Sequence, residues 1–162
     1  MTEPLELVTL GELLAVIEPM SVGSPLESSA TLQKSIGGAE VNVAVSLARL
    51  GHRIGWVGVV GDDPFGRDGI RMLRGEGVDV SRVVVDGSSA TGVYFKEVLP
   101  LEGLRNYPYR DTSAASRTTY DDVDVRYLLS ARVLHLTGIT ALISDPGHDV
   151  VTRLMKDAQA RG

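Results

Sequence analysis

Apolar residues in this chain fall in short continuous runs, separated by stretches in which they recur at helical spacing. That pattern belongs to strands buried on both faces alternating with amphipathic helices. Residues 5–10 form the first run, ended by Gly11, and residues 13–17 resume it until Pro19, which predicts one strand continuing into a second, more exposed one. Residues 20–29 read as loop. Val41, Ala44, Val45 and Ala48 then recur at helical spacing, Gly51 stands where a helix C-terminus takes a left-handed residue, and residues 54–60 follow as a buried strand, completing one βαβ unit. Asp63 before Pro64 supplies an N-cap and a first-turn proline. Phe65, Met72 and Leu73 share a face of that helix, and Gly77 ends it before a strand at residues 83–85.

The rhythm changes after Thr91. Residues 91–99 and 105–109 are adjacent extended segments joined across residues 100–104, a hairpin outside the βαβ alternation. A helical piece near residues 127–129, a strand at residues 133–137 and a last helix lined by Val151, Leu154, Met155 and Ala158 resume it, with Gly162 as a helix stop. The expected fold class is therefore α/β: a mostly parallel sheet flanked by helices, with residues 13–17, 31–36, 91–99 and 105–109 set apart as a small β lid. In that rhythm a further parallel strand would next cover the apolar face of the last helix. No internal repeat or linker divides residues 1–162, which read as part of a single domain.

Composition narrows the function classes. A length of 162 residues with 43% apolar and 23% charged residues suffices for one hydrophobic core. The 16 basic and 21 acidic side chains are interspersed and sum to a net charge of −5, which argues against nucleic acid or an anionic membrane as partner. The absence of cysteine excludes disulfides and thiolate metal sites. Acidic residues and no basic segment precede the first apolar run, and no run approaches the length of a membrane span, so a cytoplasmic location is expected. His52, His135 and His148 have no metal-like spacing, Asp121, Asp122 and Asp124 read as a solvated loop, and Asp62–Asp63 reads as a turn and helix cap. No metal site is expected.

The run Gly37-Gly38-Ala39-Glu40-Val41-Asn42-Val43-Ala44 carries the sharpest candidate chemistry. Two glycines at a helix start allow close approach of a ligand, and the free N–H groups there can meet oxygens of a polyol or an anion. A tight strand-to-helix turn in which Asn42 bonds to nearby backbone explains the same residues equally well.

Gly37, Gly38, Asn42, Ala44, Gly51 and Gly61, together with Gly61-Asp62-Asp63 and Phe65-Gly66, resemble the first signature of the ribokinase-like carbohydrate kinases, also called the phosphofructokinase-B family. The resemblance extends over nearly the whole chain. That family often has a small residue where this chain has Glu40, and the Gly-Gly-Ala-Glu-Val-Asn form is similar to the 2-keto-3-deoxygluconate kinases. The resemblance implies a ribokinase-like fold and substrate contacts from Gly37, Gly38 and Asn42. From the lid it implies Tyr94 and Arg110, and more weakly Tyr107; Pro108 departs from the aromatic often found at its place. Glu12 falls where many relatives have an acidic residue touching sugar hydroxyls, although an acidic residue at a strand end has a structural reading too.

The activity so implied is ATP-dependent phosphorylation of a sugar or sugar acid, with 2-keto-3-deoxygluconate favoured over fructose or another neutral sugar. ATP and magnesium are the cofactors of the parent protein, and pairing of two lids into a homodimer is the expected assembly. The family's catalytic base lies in an Asp-Thr-x-Gly-Ala-Gly-Asp-like motif in its C-terminal half. No Gly-Ala-Gly-Asp and no Walker-type phosphate loop occurs here. Two expectations follow: that this chain is the N-terminal, sugar-binding half of a kinase with the C-terminal half of the fold absent, and that alone it binds no ATP and is inactive. A non-catalytic sugar-binding or dimerisation fragment is the alternative from another class. A dinucleotide-binding module ranks below both, because Gly11-Glu12-Leu13 does not continue as a Gly-x-Gly-x-x-Gly fingerprint.

Overall fold

The computed structural model describes residues 4–161, so the stop expected at Gly162 lies outside them. Strands β1 (Leu7–Leu10), β4 (Ile54–Val57) and β9 (Val133–His135) form a parallel sheet in the order β4-β1-β9. Helix α1 (Ala39–Arg49) crosses between β1 and β4, and α2 (Pro64–Gly75) follows β5 (Val59–Gly61), which pairs in parallel with β6 (Val84–Asp86). A short α3 (Val125–Leu128) precedes β9, and α4 (Gly138–Ile143) and α5 (Asp145–Arg161) complete the chain.

Both faces of the main sheet are covered, which is why its strands read as continuous apolar runs. On one face Leu13, Val41, Ala44, Ile54, Trp56, Val60, Leu73, Val78 and Val80 form a core with α1 and α2. On the other, Val8, Leu10, Val57, Val123, Leu128, Val150 and Leu154 pack against α3 and α5. Each buried valine, leucine or isoleucine among them stabilises the fold by about 1.5–3 kcal/mol through burial alone.

Local signals set the helix ends. The Asp63 carboxylate accepts from Phe65 N at 2.9 Å and Gly66 N at 2.8 Å, so it caps α2 as expected of an aspartate before Pro64. Helix α1 ends where Gly51, at φ +90°, turns the chain so that its N–H reaches Ala48 O and that of His52 reaches Leu47 O. Asp122 and Asp124 also cap: Asp122 shares reciprocal bonds with Thr119, and Asp124 accepts from Tyr127 N at 2.9 Å.

One expected element divides. Residues 54–60 are two strands, because the chain leaves β1 at Gly58 and takes β6 as its new neighbour, Gly58 O accepting from Val84 N at 3.0 Å. A side chain at Gly58 would lie 2.5 Å from Gly11 O and from the Trp56 ring, so only glycine fits this crossing.

The lid forms as a separate four-stranded sheet, in the order β3-β2-β7-β8, from β2 (Leu14–Pro19), β3 (Leu32–Gly37), β7 (Gly92–Leu99) and β8 (Gly103–Tyr109). Strand β2 continues β1 past Gly11, pairs antiparallel with β3 and parallel with β7, and β7 pairs antiparallel with β8. Every residue of β8 is exposed, and Pro108 is tolerated there because β8 is the edge of the sheet.

Candidate functional site

A cleft of about 320 Å³ opens where the lid meets the main body. Its floor is the end of β1 and the start of α1, contributing Glu12, Gly38, Ala39, Glu40 and Asn42. Its lid side contributes Leu14, Tyr94, Asn106 and Arg110, and Ile139 from the first turn of α4 completes the lining.

Gly38 is the N-cap of α1 and has φ +138°, a conformation open to glycine and strained for other residues. A side chain there would also overlap the carbonyl oxygen of Glu12. Asn42 N already donates to Gly38 O at 2.9 Å, so the amides of residues 39–41 are the ones left without an intrahelical acceptor at the helix start. They bring partial positive charge to the floor of the cleft. The Asn42 residue is exposed and lines the cleft. Gly37 lies beneath Tyr94, and a methyl group on it would come 3.6 Å from the Tyr94 hydroxyl.

Glu12 is 2% exposed and forms an ion pair with Arg110, itself only one-fifth exposed. Ser113 Oγ donates to Glu12 Oε1 at 2.7 Å. Gly92 is a glycine for this reason, since its side chain would lie 2.6 Å from Glu12 Oε1. Burial pushes the Glu12 carboxyl above the ordinary glutamate value, against the opposing pull of the Arg110 guanidinium and the Ser113 hydroxyl. Glu40 is equally hidden, 1% exposed, and accepts from Thr140 Oγ1 at 2.9 Å and from Thr137 Oγ1.

Gly38, Asn42, Tyr94, Arg110 and Glu12, expected from the sequence to lie in one site, therefore meet around one cleft with Gly37 just beneath. Tyr107 does not. It pairs with Phe95 on the opposite face of the lid and donates its hydroxyl to Glu97 Oε1 at 2.7 Å. Side chains alternate along a strand, so Arg105, Tyr107 and Tyr109 face one way while Asn106, Pro108 and Arg110 face the other. The alternating Tyr and Arg residues are thus divided between the two faces, and Asn106 stands in the cleft instead. Its two-residue spacing from Pro108 and four-residue spacing from Arg110 were the available signal. Nothing local in the sequence marked Ser113 or Ile139.

Arranged this way, the cleft offers helix-start amides, an asparagine amide and a guanidinium as donors, a tyrosine hydroxyl, and the buried Glu12 carboxylate paired with that guanidinium. It suits a small polyhydroxylated ligand carrying an anionic group, held by directed hydrogen bonds rather than by net charge. Among the described residues no group of three or more His, Asp or Glu side chains is placed to hold a metal ion. His135 is instead bonded to Thr9 Oγ1 at 2.9 Å, His52 lies against Glu6, and the Asp62–Asp63 pair is spent on an ion pair to Arg67 and the α2 cap. No helix among the described residues is long and apolar enough to cross a membrane.

Comparison with known proteins places this arrangement. The sequence description of the pfkB family carbohydrate kinases matches residues 5–162. The chain is 40% identical over 159 residues to a 2-dehydro-3-deoxygluconokinase of Thermoproteus tenax, covering 97% of this chain and 49% of that protein. It is 33% identical over 161 residues to a 5-dehydro-2-deoxygluconokinase of Geobacillus kaustophilus, covering 99% of this chain and 48% of the relative. The crystal structure of a PfkB protein from Polaromonas sp. JS666 superposes with a TM-score of 0.89 at 36% identity, covering 98% of this chain and 53% of the other. The chain spans about half the length of the relatives it matches.

Proposed function

The chain belongs to the pfkB family of carbohydrate kinases, and on that premise we propose that it is the sugar-binding half of a cytoplasmic kinase that phosphorylates a hydroxyl of a keto-deoxy sugar acid, with 2-keto-3-deoxygluconate as the favoured substrate. The observation that carries this reading is the cleft itself, where the α1 start, Asn42, Tyr94 and Arg110 converge on a space of sugar size. The similar proteins named as 2-dehydro-3-deoxygluconokinase and 5-dehydro-2-deoxygluconokinase support the substrate class.

In this proposal Gly37 and Gly38 let the ligand approach the backbone, the amides at the start of α1 and the Asn42 side chain bind its hydroxyls, and the Tyr94 ring lies along it. Arg110 donates to the carboxylate with a geometry fixed by Glu12. Transfer of the γ-phosphoryl requires ATP with magnesium, and the described residues of this chain provide no cluster to hold the metal. No Gly-Ala-Gly-Asp sequence is present to supply the base. These residues orient the acceptor; the proposal gives them no part in activating it, and the 162-residue chain alone should release no ADP from ATP.

A neutral-sugar kinase such as a fructokinase is the second reading, favoured by the Glu12 carboxylate that already neutralises Arg110. Titration calorimetry with 2-keto-3-deoxygluconate and fructose separates the two. Preference for the acid, lost in Arg110→Ala, is the expected outcome; equal affinity for fructose would transfer the conclusion to the neutral-sugar reading. Asn42→Ala should weaken both ligands.

We further propose that two copies pair through the outer lid face, where Phe95, Tyr107 and Tyr109 border a second groove and Tyr109 is 68% exposed. Light scattering should give a dimer, and introducing aspartate at Tyr109 should give a monomer.

A further inference from the structure

Glu40 is a buried carboxylate in the cleft wall that the proposed chemistry leaves unused. We propose that it is a positioning residue: its carboxylate fastens the first turn of α1 to the start of α4 and so holds Ile139 in the lining of the sugar cleft. The proposal rests on the sugar-binding reading of that cleft, though the tether itself can be tested without it.

Glu40 is 1% exposed, so a ligand in the cleft reaches its neighbours rather than its carboxylate. Both hydroxyls it accepts come from the far end of the chain, Thr140 Oγ1 at 2.9 Å and Thr137 Oγ1, and both bonds end on the same oxygen, Oε1. Thr137 is also the N-cap of α4, where its Oγ1 accepts from Ile139 N at 3.2 Å. One side chain thus sets the hydroxyl that sets the backbone of Ile139, which lines the cleft together with Tyr94 and Arg110. Helix α4 is also packed closely against α5, since a side chain at Gly147 of α5 would overlap Thr140 O.

A carboxylate is needed here for its acceptor oxygen more than for its charge, because two hydroxyl donors converge on one atom and a lost partner would leave buried polar groups unpaired. The amide oxygen of glutamine can accept both hydroxyls; alanine can accept neither. Room for the group comes from Gly11, at the end of β1, where any side chain would overlap the Glu40 carboxyl. The glutamate in the Gly-Gly-Ala-Glu-Val-Asn run therefore acts on the sugar site through the α4 turn, and not by meeting the sugar.

The test compares Glu40→Ala, Glu40→Gln and Thr140→Val by hydrogen exchange of the backbone amides and by calorimetric titration with 2-keto-3-deoxygluconate. Glu40→Ala should speed exchange about tenfold at residues 138–143 while leaving β7 and β8 unchanged, and should weaken the sugar acid about tenfold. Glu40→Gln should stay within about threefold of wild type in both, and Thr140→Val should follow Glu40→Ala in direction. Weakened binding with unchanged exchange in the turn, or Glu40→Gln as damaging as Glu40→Ala, overturns the proposal. Should Glu40→Ala fail to fold, Thr140→Val decides by the same exchange comparison. If the wild-type chain does not bind the sugar acid, the sugar reading falls while the exchange measurement still decides whether the tether exists.

Discussion

The guanidinium of Arg110, just past the last strand of the lid, is ion-paired with the carboxylate of Glu12, which follows the central strand of the main sheet. Lid and body are joined by a charge pair that lines the cleft between them. Removing one partner leaves the other charge buried, and that cost exceeds the net worth of the pair. Arg110→Ala should therefore destabilise the chain by about 3 kcal/mol, at the low end of the range because Arg110 keeps some exposure. Adding Glu12→Gln to Arg110→Ala should recover part of that loss. Additive losses in denaturant unfolding would show that the pair does not behave as a unit.

The raised Glu12 carboxyl makes a signed prediction about pH. A folded-state value above the unfolded one means that the folded chain binds this proton more tightly, so the contribution is fully present below the unfolded value near 4.5 and is lost as pH rises through the folded value. The stability of wild type relative to Glu12→Gln should grow as the pH is lowered from 8 towards 4.5. Urea midpoints across that range measure it, and a difference that shrinks on acidification would contradict the burial argument.

Asp63 has the opposite sign. Burial pushes its carboxyl up, but hydrogen bonds from the backbone N–H groups of Thr91, Gly66 and Phe65 outweigh burial and leave it below the ordinary aspartate value. Its contribution is present above the unfolded value near 3.8 and is lost as pH falls through the folded one. In Asp63→Asn one oxygen can still cap α2, whereas the amide nitrogen confronts the Thr91 N–H that Oδ2 accepts at 2.7 Å. A loss of about 1–2 kcal/mol at pH 7 is expected, with faster exchange at Thr91 and a shallower decline in stability below pH 4.

Gly11 and Glu40 should show compensation. Gly11→Ala alone forces its methyl group into the Glu40 carboxyl and should destabilise by roughly 1–3 kcal/mol. In a Glu40→Ala background the same substitution enters space already vacated and should cost little. Thermal unfolding of the double-mutant cycle reads the coupling, and equal effects of Gly11→Ala in both backgrounds would mean that the close approach does not govern this site.

The architecture was legible because it rests on short-range chemistry. Continuous apolar runs marked the doubly covered sheet, the change of pattern at Thr91 marked the lid, and Asp63-Pro64 and Gly51 marked helix ends through contacts spanning only a few residues. The Gly37-Gly38 pair and Asn42 stood out locally as a helix start at the cleft floor, whereas Arg110 on its lid side was implied by the family resemblance alone. The face on which Tyr107 lies was not settled this way: strand alternation groups it with Arg105 and Tyr109 against Arg110, but which face meets the cleft depends on how the lid sits on the body. The break at Gly58 depends on the close approach of Gly11 O, 47 residues earlier in the chain, as well as on the neighbouring Trp56 ring. The roles of the two buried carboxylates were decided by tertiary structure alone, because Glu12 meets Ser113 across a sequence separation of 101 residues and Glu40 meets Thr140 across 100. Periodicity and caps record what a residue does within a turn or a strand. A buried charge is given its function by whichever groups the fold brings to it when water is removed.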